Sequence, residues 1–130
     1  MGQQQLLLIV LGVIVVGIAV VVGINLFNAN AVSSNRDGVV SDLNNLGAMA
    51  QQFYKKPISM GGGGNTFTNF TLPLELDSTA NGSYTAGFVV AAQSVTIVGY
   101  GTEYNGAATP VKIQHTATVT PTKVTVVKNN

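Results

Sequence analysis

From Leu6 to Ile24 the chain reads LLLIVLGVIVVGIAVVVGI, nineteen residues without one polar side chain, broken only by Gly12, Gly17 and Gly23. As a helix rising ~1.5 Å per residue this stretch covers about 28 Å, enough for the hydrocarbon core of a bilayer or for the core of a helical assembly. A chain of 130 residues has room for one modest domain beside such a rod, and none left to wrap it. The rod's apolar partner must come from outside the fold, as lipid or as other subunits. Its many β-branched Val and Ile residues disfavour helix in water, but a medium that cannot hydrogen-bond forces the backbone to close its bonds internally. Gly12, Gly17 and Gly23 each cost a helix roughly 0.8–1 kcal/mol relative to Ala. Their spacings of five and six residues form no GxxxG face, so they read as points of flexibility spread around the rod.

Beyond Asn25 the pattern becomes one-sided. Val32, Val39, Val40, Leu43, Leu46, Met49, Ala50 and Phe53 recur at helical steps, while Asp37, Ser41, Asn44, Asn45, Gln51, Gln52 and Lys55 fill the other side. Pro57 stops the pattern, and Lys55 and Lys56 suit the negative end of a helix. The expectation is one rod from about Gln3 to Tyr54. Its weak point is Ser33–Gly38, a run of poor helix formers in which Ser34 is a candidate N-cap for a second helix. Ser59–Asn65 holds four consecutive glycines without a following lysine in the phosphate-loop position, and reads as a flexible connector.

From Thr66 onward the composition turns to Thr, Val, Gly and Asn. Candidate strands are Thr66–Leu72, Tyr84–Ala92, Ser94–Tyr104, Val111–Val119 and Thr122–Lys128, with turns at Asn81-Gly82, Asn105-Gly106 and Pro121. In the fourth, Val111, Ile113, His115, Ala117 and Val119 share one face, which Val124 and Val126 continue. The fold class is therefore α+β: a helix at 1–56, a glycine-rich connector at 57–65, and an antiparallel sheet at 66–130. Val39, Val40, Leu43, Leu46, Met49, Ala50 and Phe53 are the expected seat for the sheet.

Charged residues make up 8% of the chain and the net charge is +1, so there is no electrostatic footprint for nucleic acid. Without cysteine there are no disulfides, thiolate metal sites or thiol nucleophiles. The one histidine, His115, lies on an apolar strand face and reads as a hydrogen-bonded core residue. Glu75 and Asp77, if extended, would point two carboxylates one way, either as a solvated edge or as a weak calcium site. No arrangement supports an enzyme, a cofactor or a small-molecule substrate. Asn69-Phe70-Thr71 and Asn81-Gly82-Ser83 match the N-glycosylation acceptor pattern of exported proteins. Ala29-Asn30-Ala31 has the form of a signal-cleavage site, but MGQQQ carries no basic residue, and the match reads as accidental.

This layout, an uncharged apolar helix turning amphipathic halfway and followed by a glycine connector and a small sheet, resembles the type IV pilins and pseudopilins. In that family the leader ends in glycine just before the apolar segment, as Gly2 stands here before Gln3. Gln3, Gln4 and Gln5 occupy the region where the family carries an acidic residue; their amides would join subunits by hydrogen bonds weaker than a charge-assisted pair. The resemblance implies a subunit that waits in the cytoplasmic membrane with its head outside and then enters a homopolymeric cell-surface filament. The filament core would be built from Gln3, Gln4, Gln5, Leu6, Leu7, Leu8, Ile9, Val10, Leu11, Val13, Ile14, Val15, Val16, Ile18, Val20, Val21, Val22 and Ile24. The alternative is a single-pass anchor carrying a small β domain that acts as a binding module.

Overall fold

The computed structural model describes residues 2–130. A single helix, α1 (Gly2–Lys55), runs without interruption through Ser33–Gly38, so no second helix starts at Ser34. A short 3-10 turn (Ile58–Met60) follows, then five strands: β1 (Gly82–Ser83), β2 (Val89–Val90), β3 (Val95–Tyr104), β4 (Lys112–Val119) and β5 (Val124–Lys128). β3, β4 and β5 form an antiparallel meander, and β1 and β2 pair in turn with the C-terminal and N-terminal parts of β3. The protein is α+β, one long N-terminal helix packed on a small antiparallel sheet.

The three long strands follow their expected alternation. Val95, Ile97, Ala117 and Val119 form one core with Val39, Leu43, Leu46 and Ala50 of the helix, and Ile113 is buried on the same face of β4. Val40, Met49 and Phe53 are half-buried at the margins of that stripe. Helix and sheet approach closely at Gly47, where an added Cβ would lie 2.7 Å from Val124. Val111, expected to face inward, precedes β4 and is exposed. The loop before it is closed by Asn105, whose N–H donates to the Val111 carbonyl (2.9 Å) and whose Oδ1 accepts from Ala107 and Val111 (3.2 Å each).

Two expected strands are largely loop. Thr66–Leu72 contains no strand, because Phe67 and Phe70 are both drawn into the core, and residues three apart lie on opposite faces of a strand. The chain turns instead, with the Phe70 N–H donating to the Phe67 carbonyl (2.9 Å) and Asn69 left-handed at φ 71°. Of Tyr84–Ala92 only Val89–Val90 pairs; the Thr85–Phe88 turn interrupts the rest. The glycine stretch, expected as a loose connector, folds back over the end of α1. The N–H groups of Gly63, Gly64 and Asn65 donate to the carbonyls of Phe53, Lys56 and Tyr54 at 2.8–2.9 Å, so the free helical acceptors of Phe53 and Tyr54 are satisfied by the segment that leaves the helix.

Candidate assembly surface

The first half of α1 touches nothing else in the fold. All fifteen of Leu6, Leu7, Leu8, Ile9, Val10, Leu11, Val13, Ile14, Val15, Val16, Ile18, Val20, Val21, Val22 and Ile24 are between 51 and 69% exposed. The bare surface continues through Leu26 to Phe27, the latter 81% exposed. Gly12, Gly17 and Gly23 face open space, and the helix passes through them unbroken. By length and composition the segment is able to cross a membrane. A compact 13.4 kDa monomer exposes about 6,500 Å² by the usual surface scaling. This chain exposes 8302 Å², an excess of about 1,800 Å² that falls in the range one partner contributes to a permanent interface.

Where the bare rod enters the head, Asn35 joins helix to sheet. The β3–β4 register shifts between Tyr100 and Tyr104, and beside that irregularity the Thr102 and Glu103 N–H groups turn toward α1. Asn35 Oδ1 accepts from both, at 3.0 and 3.2 Å. Its Nδ2 donates to the Asn81 carbonyl at 2.7 Å and to Thr102 Oγ1 at 3.1 Å. The side chain is buried among these partners, and Gly101 leaves it room, since any Cβ there would collide with Asn35 Oδ1. Asn35 lies in the Ser33–Gly38 run, the part of α1 poorest in helix formers. A lone Asn among polar neighbours carries no mark of partners 46 to 68 residues away.

Two turns further along, Asp42 Oδ2 accepts hydrogen bonds from Tyr84 Oη (2.6 Å), Thr79 Oγ1 (2.7 Å) and Asn81 Nδ2 (3.2 Å). Burial alone would raise the Asp42 pKa, but the three donors outweigh it and hold the carboxyl below its ordinary value. Burial, then the bond to Asp42, pushes the Tyr84 phenol well above its usual range. Asp42 is thus a carboxylate that anchors the 77–84 segment to the helix, with its acceptor capacity directed at structural donors.

Glu75 and Asp77 do not form the paired edge expected of an extended segment. The chain turns at Leu74–Leu76, Glu75 is exposed, and Asp77 Oδ1 is buried without a hydrogen-bond partner. Among the described residues no three His, Asp or Glu side chains gather as a metal site. His115 is buried on the helix-facing side of β4, but its Nδ1 has no partner. Burial first, then the positive charges of Arg36 and Lys128, depress its pKa below 6.5.

That depression has a measurable consequence. As pH falls below 6.5, the unfolded chain binds the His115 proton before the folded chain does, so stability drops until the folded site also protonates. The slope approaches but does not exceed about 1.4 kcal/mol per pH unit. Denaturation midpoints between pH 7 and 5 should therefore fall with acid in the native protein and stay level in His115→Gln. Asp42 acts in a lower window, its contribution present above pH 3.8 and lost as pH falls through its folded value.

A groove of about 670 Å³ opens between the helix at Val32, Ser33 and Arg36 and the β3–β4 loop at Tyr104, Asn105 and Pro110, beside the emerging rod. No protein-family model, curated protein or solved structure matches this chain.

Proposed function

We propose that this chain is the structural subunit of an extracellular, pilin-like helical filament, polymerising through its apolar N-terminal helix. The observation that carries the reading is one continuous helix with two unlike halves: Leu6–Ile24 bare on every side, and a second half whose Val39, Leu43, Leu46 and Ala50 are buried beneath the sheet. A membrane anchor can end at the headgroups. Here the rod is instead continuous with the backbone of the head, so packing rods together fixes how the heads are placed around them. Before assembly the ~28 Å apolar segment sits in lipid, and afterwards in a bundle of its own kind, so the transfer exposes little apolar surface to water. The contact is heterologous, one rod against different faces of its neighbours, and contacts of that kind propagate as open fibres. Gln3, Gln4 and Gln5 would bond across subunits at the rod's start, and Gly12, Gly17 and Gly23 would let the rods adjust during repacking.

The test is negative-stain microscopy of material sheared from expressing cells, with mass spectrometry of the subunit's N-terminus. Filaments whose subunit retains the Leu6–Ile24 segment are the expected result. Discrete particles found only in detergent would overturn the reading in favour of a membrane-anchored β domain. A subunit beginning after Ala31 would overturn both.

A further inference from the structure

The two N-glycosylation sequons lie in opposite surroundings. In Asn69-Phe70-Thr71 the middle residue is anchored: the Phe70 ring is buried, with centroids 5.4 Å from Phe53 and 6.0 Å from Phe88. Asn69 and Thr71 on either side are exposed, and Asn69 occupies the left-handed position of a tight turn, φ 71°. Asn81-Gly82-Ser83 is closed in. The Asn81 amide nitrogen donates to Asp42 (3.2 Å) and its backbone carbonyl accepts from Asn35 (2.7 Å). Its side chain lies so close to the helix that a methyl group on Gly38 would come within 2.5 Å of Oδ1.

We infer that Asn69, and not Asn81, is the residue at which this chain accepts an N-linked glycan. The inference rests on the proposed outward placement of the head. In the transfer, the Asn69 amide nitrogen attacks the anomeric carbon of a polyprenyl-phosphate-linked oligosaccharide. The N–C bond forms, the C–O bond to the lipid phosphate breaks, the phosphate leaves with its electron pair, and one amide proton passes to a base; nothing is oxidised or reduced. Thr71 supplies the hydroxyl that the acceptor pattern requires.

The folded state tolerates the product at one site and not at the other. A saccharide on Asn69 projects into solvent beside the shallow groove formed by Phe53, Gly63 and Thr66. A saccharide on Asn81 would have to fit at an amide nitrogen already held against Asp42 and packed beside the helix at Gly38. Position along the helix adds to the contrast. Gly38 lies fifteen residues nearer the rod than Phe53, about 22 Å at 1.5 Å per residue, so a glycan at Asn69 sits at the end of the head away from the packed rods.

The test expresses the full chain in a host that N-glycosylates exported proteins and reads occupancy by intact-mass and glycopeptide mass spectrometry. Alongside it runs Ala107→Asn combined with Pro110→Ala, which with Thr109 makes a control sequon in the exposed β3–β4 loop with no proline after it. The expected result is glycan on the peptide containing Asn69 and none on that containing Asn81. Asn69→Gln and Thr71→Ala should each remove the whole glycan mass, and Asn81→Gln should leave it unchanged. An occupied control with bare Asn69, or folded protein carrying glycan on Asn81, overturns the inference alone. A bare control together with bare Asn69 means that the head never met the transferase, which overturns the outward placement and the inference with it.

Discussion

Asn35→Leu is expected to cost the fold about 2–4 kcal/mol, well beyond what its intrinsic helix propensity would suggest, since leucine is the better helix former. The loss comes from the sheet. Removing the amide leaves the Thr102 and Glu103 N–H groups and the Asn81 carbonyl without their acceptor or donor, in a place where a leucine side chain keeps water from replacing it. Unmade bonds of this kind cost about 1–3 kcal/mol each, with some relief from the exposed edges of Thr102 and Glu103. For a folded unit of this size a loss of 2–4 kcal/mol lowers the melting temperature by roughly 10 °C or more. Thermal denaturation in detergent, followed by near-ultraviolet circular dichroism of the head's tyrosines, measures it. Asn45→Leu, on the exposed side of the same helix, is the control and should move the midpoint by no more than a degree or two. Equal midpoints for the two variants would remove Asn35 as the joint between rod and head.

Val15→Asp should abolish filaments while leaving the head folded. Val15 is the central residue of Leu6–Ile24 and touches no part of the sheet, so the substitution does not disturb the core. Placing a carboxylate at the centre of a membrane span costs about 2.5–3.5 kcal/mol on insertion scales. In a dry bundle of rods the penalty recurs in every subunit, and an unpaired buried charge costs several kcal/mol. Microscopy should show no fibres, whereas the head's denaturation midpoint in detergent matches that of the native chain. Val15→Leu, apolar and of similar size, should assemble normally. Fibres formed by Val15→Asp at native yield would show that the rods are not the polymerising element.

The pair of substitutions separates the two halves of one helix, and those halves differ in how openly the sequence announces them. An unbroken apolar run of nineteen residues and a stripe at three- and four-residue spacing are local patterns, and both lie where they were read. The meander of β3, β4 and β5 was legible for the same reason: alternation with a period of two, and turn residues between. The 66–92 segment was not. Its Phe67, Phe70 and Tyr84 are as apolar as strand residues, but Phe67 and Phe70 bury their rings against Tyr54 and Phe53 at the helix end and Tyr84 buries its ring between Gly99 and Val39, and a ring's burial does not require a ladder of backbone bonds.

Sequence alone therefore determined the long helix, its division into a bare and a packed half, and the three main strands. Each of these follows from residues close together in the chain. Tertiary structure alone decided that Asn35 ties the helix to the irregular end of β3, that Asp42 collects three donors from the 79–84 turn, and that one sequon is open and the other closed. The physical reason is that a hydrogen bond depends on where its partner lies in space. Those partners are brought together only when the sheet folds over the helix, and nothing in the local pattern of Asn35, Asp42 or Asn81 records which ones they will be.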